Sequence, residues 1–275
     1  MFSLDAYSPE QIARKIQDGG VAKARLPLLP MFMLGMCAGG FIGLGALYST
    51  IVLSDAALPF AVGRLLAGLV FSLGLVLVVV AGAELFTGNN LLVMAWADGK
   101  ITARELTRNW VVVYLANVAG AAGLAVIVWL SQHGEFNHGA VAAQYVKIAA
   151  AKTSLPFWEA FYKGVLCNLL VCLAVWIAMA GHSVTDKILA IVFPISAFVA
   201  AGFEHSVANM YLIPVGMLMA SGMPEVPASL DGWGLLRNLV PVTLGNIVGG
   251  SGMVAAVYYL IHHRAPAGPR ADKPG

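Results

Sequence analysis

Six long apolar segments dominate the chain, and four of them have the length of a single membrane-spanning helix. The segments lie near 27–53, 59–97, 108–131, 157–182, 187–220 and 236–262. A helix that crosses the hydrocarbon core of a bilayer needs about 20 residues, at a rise of about 1.5 Å each. The first, third, fourth and sixth segments therefore predict one crossing helix each, some of them tilted.

The second and fifth segments are too long for one crossing of a core about 30 Å thick. Each also carries polar residues in its middle. The Leu-Phe-Thr-Gly-Asn-Asn stretch at 85–90 is poor helix sequence, and Pro194 and Pro214 bracket the Gly-Phe-Glu-His-Ser stretch at 202–206. Non-helical backbone at membrane depth is tolerated only where it is buried in protein or lines a cavity. We therefore predict that both helices break and that the two breaks face one interior.

An internal repeat relates the two interrupted segments. Residues 81–90 align with 201–210, so that Glu84 matches Glu204. The shared positions farther along are Arg108-Asn109 and Arg237-Asn238, Asn117 and Asn246, and Gly120 and Gly249. Because each repeat holds an odd number of helices, the halves must lie upside down relative to each other. The predicted fold is an all-α integral membrane protein with six helices in an inverted 3+3 repeat, the second and fifth helices broken.

Composition supports the membrane interpretation and argues against several functions. The 275 residues are 59% hydrophobic and 11% charged, whereas soluble domains have about 25% charged residues. The net charge of +2 gives no indication of nucleic-acid binding. Cys37, Cys167 and Cys172 lie in apolar runs without metal-ligand spacing. The sequence contains no nucleotide-binding loop or catalytic triad, so we predict a protein that is not an enzyme and needs no metal or cofactor.

The ends of the chain are more polar than its middle. Residues 1–26 predict a cytoplasmic N-terminal amphipathic helix, capped by Ser8 and Gln11 in a capping box and ended by Gly19-Gly20. We interpret this leader as solvated or interfacial, or alternatively as a gating or assembly element. Residues 27–262 are predicted to form a six-helix transmembrane domain, and 263–275 a disordered cytoplasmic tail.

Lysine and arginine residues set the expected orientation. Their excess on one side places both termini on the cytoplasmic side of the membrane. The expected location is a bacterial or archaeal cytoplasmic (inner) membrane. The longest external connection is then the loop at 132–156, which contains Lys152.

Glu84, Glu204 and His205 are the ionisable residues deep in the apolar segments. Such residues usually face a water path. The two glutamates are predicted to brace the loops by accepting backbone N–H groups, with direct substrate contact as the alternative. His205 has Leu85 as its repeat counterpart, so the architecture does not require it and a functional role is favoured. Together with the Thr87 hydroxyl of the facing loop, it is suited to bind a small oxyanion.

Several further residues near the breaks have two interpretations. Asn117, Asn168 and Asn246 either form interhelical hydrogen bonds or line a pore, and the last two are the better pore candidates. Phe71, Leu75 and Phe198 are either core residues or hydrophobic constrictions that gate by dewetting. The residues alone do not separate these interpretations.

Three motifs carry a resemblance to a known family. Residues 82–89, 202–210 and 238–246 resemble signatures of the formate/nitrite transporter family, and the second motif looks closer to formate channels. The resemblance implies an aquaporin-like protomer, with its own pore, in a homopentamer. It also implies roles for matched positions: a cytoplasmic constriction of Leu75, Leu85 and Phe86; a periplasmic one of Phe71 and Phe198; Thr87 and His205 between them; Asn168 beside the histidine; and Lys152 as the vestibule cation.

These observations predict a pH-dependent passive channel for formate. Lys152 concentrates the anion, His205 pairs with it or hands it a proton, and Thr87 orients its oxygens. The neutral acid or the compensated pair then passes the constriction. Nitrite or hydrosulfide is the alternative substrate. The other classes left open are a membrane enzyme with His205 as base and Glu204 as orienter, and a structural or receptor role of the leader. The expected partners are the anion, a proton, membrane lipid and four further copies of the chain.

Overall fold

The computed structural model describes residues 6–221, 223 and 225–263, and within them the chain is helical and has no strands. The α-helices are α1 (Pro9–Ala24), α2 (Leu28–Leu53), α3 (Phe60–Ala81), α4 (Val93–Ala97), α5 (Ala103–Leu130), α6 (Ala140–Thr153), α7 (Phe157–Ala178), α8 (Val184–Ala201), α9 (Ser206–Ala220), α10 (Gly232–Ile247) and α11 (Val257–His263). Short 3-10 helices lie at Gly88–Leu92 and His133–Glu135, and a π-helical stretch, Val248–Ala256, joins α10 to α11.

Six helical spans in the described part of the chain are long and apolar enough to cross a membrane. They are α2, α3, α5, α7, α8 and the continuous span Gly232–His262. The predicted number of crossing helices is therefore confirmed, and the chain is a multi-pass membrane protein. Helix α2 packs against α3 and α5, while α7 packs against α8 and α10.

The second and fifth apolar segments are both interrupted. Helix α3 ends at Gly82, whose φ is 82°, and α8 ends at Gly202, whose φ is 75°. Only glycine adopts this left-handed conformation without strain, so it commonly ends a helix. Non-helical backbone follows at 82–87 and at 202–205 before helical structure resumes. The inverted orientation of the two halves stays a prediction.

The N-terminal helix differs from its prediction at one end. The Ser8 and Gln11 capping box is present. The prediction that Gly19-Gly20 ends the helix is wrong, because α1 continues to Ala24. Gly20 instead provides close contact: a Cβ placed there would lie 3.2 Å from the Cβ of Ala95. Ile12 and Ile16 lie on the same face of α1 as Gly20 and are buried in a cluster with Met94 of α4 and Trp176 of α7.

The connection at 132–156 is not a simple loop, which corrects the prediction. It contains α6, whose alanine-rich sequence has high helix propensity. Val141, Tyr145 and Ala149 on this helix are fully buried, and Tyr145 donates to or accepts from the hydroxyl of Tyr211 on α9 at 2.8 Å. Lys152 therefore sits near the end of a packed helix. The predicted tail at 263–275 lies outside the described residues apart from the end of α11.

Candidate functional site

The two breaks meet at Thr87 and His205. The Oγ1 atom of Thr87 lies 2.9 Å from the Nε2 atom of His205, although the two residues are 118 positions apart. Both side chains are buried, with exposures of 0% and 2%. The structure therefore brings together the two residues that the sequence placed in facing loops.

The other ring nitrogen of His205 fixes the form of the neutral ring. The backbone N–H of Ala208 donates to Nδ1 at 3.0 Å, so His205 is the N-cap of α9. A nitrogen that accepts a hydrogen bond carries no proton, and the proton of the neutral imidazole is then on Nε2. Nε2–H accordingly donates to Thr87 Oγ1. The Thr87 hydroxyl keeps its own proton, which is suited to donate to a ligand oxygen.

Two cavities reach toward this contact from opposite sides. The Lys152 cavity, about 270 Å³, is lined by Lys152, Phe71, Phe198 and His205. The Lys23 cavity, about 280 Å³, is lined by Lys23, Leu75 and Leu85.

A thin apolar layer separates the cavities, which share no lining residue. Phe71 of one lining and Leu75 of the other lie on successive turns of α3, about 6 Å apart along the helix axis. The rings of Phe71 and Phe198 meet edge to face, with centroids 5.4 Å apart. The phenylalanines thus belong to one cavity and the leucines to the other, and their roles as constrictions stay predictions.

Each cavity contains one buried glutamate paired with a lysine. Lys152 Nζ lies 2.8 Å from Glu204 Oε1, and Lys23 Nζ lies 2.7 Å from Glu84 Oε1. The second carboxylate oxygens accept from the amides of Asn209 and Asn89, at 2.6 and 2.7 Å. The glutamates therefore receive side-chain donors and not the loop's backbone N–H groups, which corrects the predicted form of bracing.

Repeat-related asparagines supply the backbone contacts instead. Asn117 Oδ1 accepts the Phe86 N–H at 2.9 Å, and its Nδ2 donates to the carbonyls of Gly35 and Glu84. Asn246 Oδ1 accepts the Ser206 N–H at 2.9 Å, and its Nδ2 donates to the carbonyls of Gly164 and Glu204. Each amide thus uses its donors and acceptor to tie a break to a neighbouring helix. These contacts favour the hydrogen-bonding interpretation of Asn246, and its pore-lining role stays a prediction.

Asn168 and Phe86 lie away from the cavities. Asn168 Nδ2 contacts the carbonyl oxygens of Thr87 and Asn246, at 3.2 and 2.7 Å, and Asn90 Oδ1 at 2.8 Å. It supports the Thr87 loop and makes no hydrogen bond to His205. The Phe86 ring packs against Tyr114, with centroids 4.9 Å apart, and lines neither cavity. The loop turns this ring into the helix packing, and its place in a constriction stays a prediction.

The geometry gives no support to the base-and-orienter pair. The Glu204 carboxylate is bound by Lys152 and Asn209, while His205 binds Thr87 and Ala208. Adjacent residues on an extended backbone point in different directions, so the two side chains serve different neighbours.

Sequence reasoning missed four cations that line the cavities. Arg64 and Lys163 join Lys152 in its cavity, while Lys15 and Lys23 of the N-terminal helix line the other, where Lys23 reaches Glu84. The one sequence signal for Lys23 is the repeat, because equivalent positions make Glu84 and Glu204 candidates for the same kind of partner. Sequence distance hid the contact, since Lys23 and Glu84 are 61 positions apart.

Comparisons with known proteins agree with this architecture. The family model described as "Formate/nitrite transporter" matches residues 10–260. The chain is 38% identical to the formate channel FocA of Escherichia coli (strain K12), over 95% of this chain and 96% of that protein. A solved structure titled "Pentameric formate channel with formate bound" superposes with a TM-score of 0.80 at 38% identity, covering 86% of this chain and 98% of that one.

A second solved structure leads to the same assignment. Titled "FNT family ion channel", it superposes with a TM-score of 0.81 at 31% identity, covering 91% of this chain and 98% of that one. Sequence motifs, broken helices, the family model and solved structures thus coincide over nearly the whole chain, and the chain belongs to the formate/nitrite transporter family.

Proposed function

We propose that this chain is a passive, pH-dependent channel for formate in the cytoplasmic membrane, with both termini in the cytoplasm and five copies in the assembly. The names of the similar proteins supply formate and the pentamer. The observation that carries the mechanism is the Thr87–His205 contact, buried between two cavities that each contain a lysine.

The apolar layer decides in which form the substrate crosses. Transfer of a bare anion from water into a dry, low-dielectric passage costs tens of kcal/mol in the idealised limit. Transfer of a neutral acid costs far less. A small carboxylic acid has a pKa of about 4 and is therefore an anion at neutral pH. The anion enters through the Lys152 cavity. It gains a proton or a compensating charge before it crosses the apolar layer. The Thr87 hydroxyl proton is the donor placed for one of its oxygens, and His205 Nε2–H joins it once the anion displaces the contact to Thr87.

Charging of His205 is tied to the start of α9. An imidazolium carries a proton on both nitrogens, yet Nδ1 faces the Ala208 N–H. The charged ring must therefore release that N–H, and the first turn of α9 loses its cap. His205 thus couples anion passage to protonation through a local rearrangement that the arriving anion stabilises.

Replacement of His205 tests this coupling. We expect His205→Phe to abolish most of the acid dependence of formate uptake into proteoliposomes, because phenylalanine neither titrates nor donates. His205→Asn is the matched control for folding, since asparagine is a favoured N-cap and does not titrate. It should keep the protein assembled yet also lose the acid dependence.

The same assay measures substrate choice. Formate, nitrite and hydrosulfide are supplied in turn across a pH series, and formate should be the best substrate of the unmodified protein. If His205→Asn retains the full acid dependence, the proton comes from elsewhere and the coupling role is refuted. Absence of formate flux in the unmodified protein would refute the proposed substrate.

Lys152 provides a second test, at the entrance. We expect Lys152→Ala to raise the half-saturating formate concentration more than it lowers the maximal flux, because the Glu204 carboxylate is then unpaired in the cavity and repels the anion. The charge-balanced control is Lys152→Ala with Glu204→Gln, which should recover part of the affinity. A fall in maximal flux with unchanged half-saturation would contradict the vestibule role.

A further inference from the structure

Arg64 is a half-buried cation in the Lys152 cavity and lies near the start of α3. Its Nε donates to the carbonyl oxygen of Ala200 at 2.9 Å, and its Nη2 donates to that of Val199. These carbonyls belong to the last turn of α8, just before the break that leads to His205. Arg64 thus links the two broken helices on this side of the apolar layer.

The charge of Arg64 is the uncompensated one in this cavity. Lys152 pairs with Glu204 at 2.8 Å, and Lys163 pairs with Glu159 at 2.7 Å. Among the described residues Arg64 forms no ion pair, and its hydrogen-bond partners are neutral carbonyls. A guanidinium has five N–H groups, of which these two contacts use two. The remaining N–H groups are available to an oxyanion in the cavity.

The helix end beside Arg64 explains why a cation is needed there. The last carbonyls of a helix carry negative partial charge, which repels an anion. Val199 and Gly202 at the end of α8 line the cavity, so an entering anion meets this negative end before it reaches His205. The charge of Arg64 offsets this repulsion and leaves this end of the cavity with a net positive charge. In the Lys23 cavity, Val79 and Gly82 at the end of α3 hold the equivalent place. The cation without an ion pair in that described lining is Lys15, which donates to the carbonyl of Met179 after α7 and not to the end of α3.

We propose that Arg64 is an anion-binding residue of the Lys152 cavity, which holds the small oxyanion at the end of α8 before it passes Phe71 and Phe198. The inference rests on the proposed channel function and deepens it. It predicts that the Lys152 side of the channel has an anion station that depends on an arginine held at the end of a broken helix.

The test compares Arg64→Gln, Arg64→Lys and Arg237→Gln in proteoliposomes at subsaturating formate. An impermeant salt is varied on both sides, because salt screens an attracting charge. The unmodified protein should lose uptake as salt rises. Arg64→Gln should show uptake reduced about fivefold at low salt, and little further loss on adding salt.

The two other variants separate charge from structure. Arg64→Lys keeps the charge but not the paired carbonyl contacts, so it should keep the salt dependence even if its rate falls. Arg237→Gln makes the same charge change on α10, where Arg237 lines a separate groove with Trp233. It should behave like the unmodified protein. Full salt dependence in a folded Arg64→Gln protein would overturn the inference.

A binding measurement does not require transport. Saturation-transfer NMR of formate with the detergent-purified protein should give a signal that Arg64→Gln weakens severalfold and Arg237→Gln leaves unchanged. Equal signals from both variants would also overturn the inference. A missing formate flux together with an Arg64-dependent signal would instead refute the channel proposal alone.

Discussion

Replacing Gly120 with alanine should be among the most destabilising single changes in this protein. Gly120 on α5 lies against the backbone of α2, and a Cβ placed there would overlap the carbonyl oxygen of Met36. Backbone atoms cannot yield as a flexible side chain can, so the two helices must move apart. Overpacking of this kind costs about 1–3 kcal/mol and occasionally more. We expect the loss of stability to lie near the upper end of this range. It should be measured as a fall of about 10 °C in the melting temperature of the detergent-purified protein.

Gly123→Ala is the matched control on the same helix. A Cβ at Gly123 meets nothing within 4 Å, so its addition should leave the melting temperature unchanged or slightly higher, given the better helix propensity of alanine. Equal melting temperatures for Gly120→Ala and Gly123→Ala would contradict the close-packing argument.

The repeat predicts a second pair with the same behaviour. Gly249 corresponds to Gly120, and a Cβ there would overlap the carbonyl oxygen of Val165 on α7. Gly252, three residues on, again meets nothing within 4 Å. Gly249→Ala should therefore lower the melting temperature and Gly252→Ala should not. Small residues let helices approach closely in membranes, where no hydrophobic force drives them together.

Asn246→Leu is the second change with a large expected effect. Leucine has nearly the same volume but leaves the Ser206 N–H and the carbonyls of Gly164 and Glu204 without their partner. Each buried polar group left unpaired costs about 1–3 kcal/mol. We expect a loss of several kcal/mol, seen as poor recovery of the assembled protein on size exclusion and no formate flux.

Thr243→Val on the same helix is the control for this loss. It removes one side-chain hydrogen bond, to Tyr114 at 3.0 Å, and leaves the break untouched. The substitution should lower the free energy of unfolding by about 1 kcal/mol. Asn117→Leu, the repeat equivalent, should be about as damaging as Asn246→Leu. A fully assembled, active Asn246→Leu protein would show that the break does not depend on this amide.

The two largest predictions show which features local sequence carries. Gly120 and Gly249, like Asn117 and Asn246, stand out in the sequence because the repeat duplicates them, and the structure gives each pair equivalent contacts. Duplication marks a position as part of the architecture. It does not reveal what the residue touches. For Asn246 the sequence leaves hydrogen bonding and pore lining open, and for Glu204 it predicts backbone N–H donors where the structure shows Lys152 and Asn209.

Contacts between distant segments were beyond local reasoning. The leader provides Lys23 to Glu84 and α3 provides Arg64 to the end of α8, across 61 and more than 100 positions. From the residues next to them in the sequence, the side chains of Lys23 and Arg64 would be predicted to be solvated or interfacial. Only the packing of α1 and α3 against the breaks decides which buried charge or carbonyl it meets.

The sequence by itself determined the membrane class, the six spans, the two breaks and the facing pair Thr87 and His205. These follow from hydrophobic length, helix-breaking residues and an internal repeat, all of which are local or periodic properties of the chain. Only the tertiary structure decided the tautomer of His205, the partners of the glutamates, the inward turn of Phe86 and the position of Arg64. Those depend on which backbone donors and acceptors remain unpaired once the helices pack, and a buried polar group must find its partner wherever the fold has placed one.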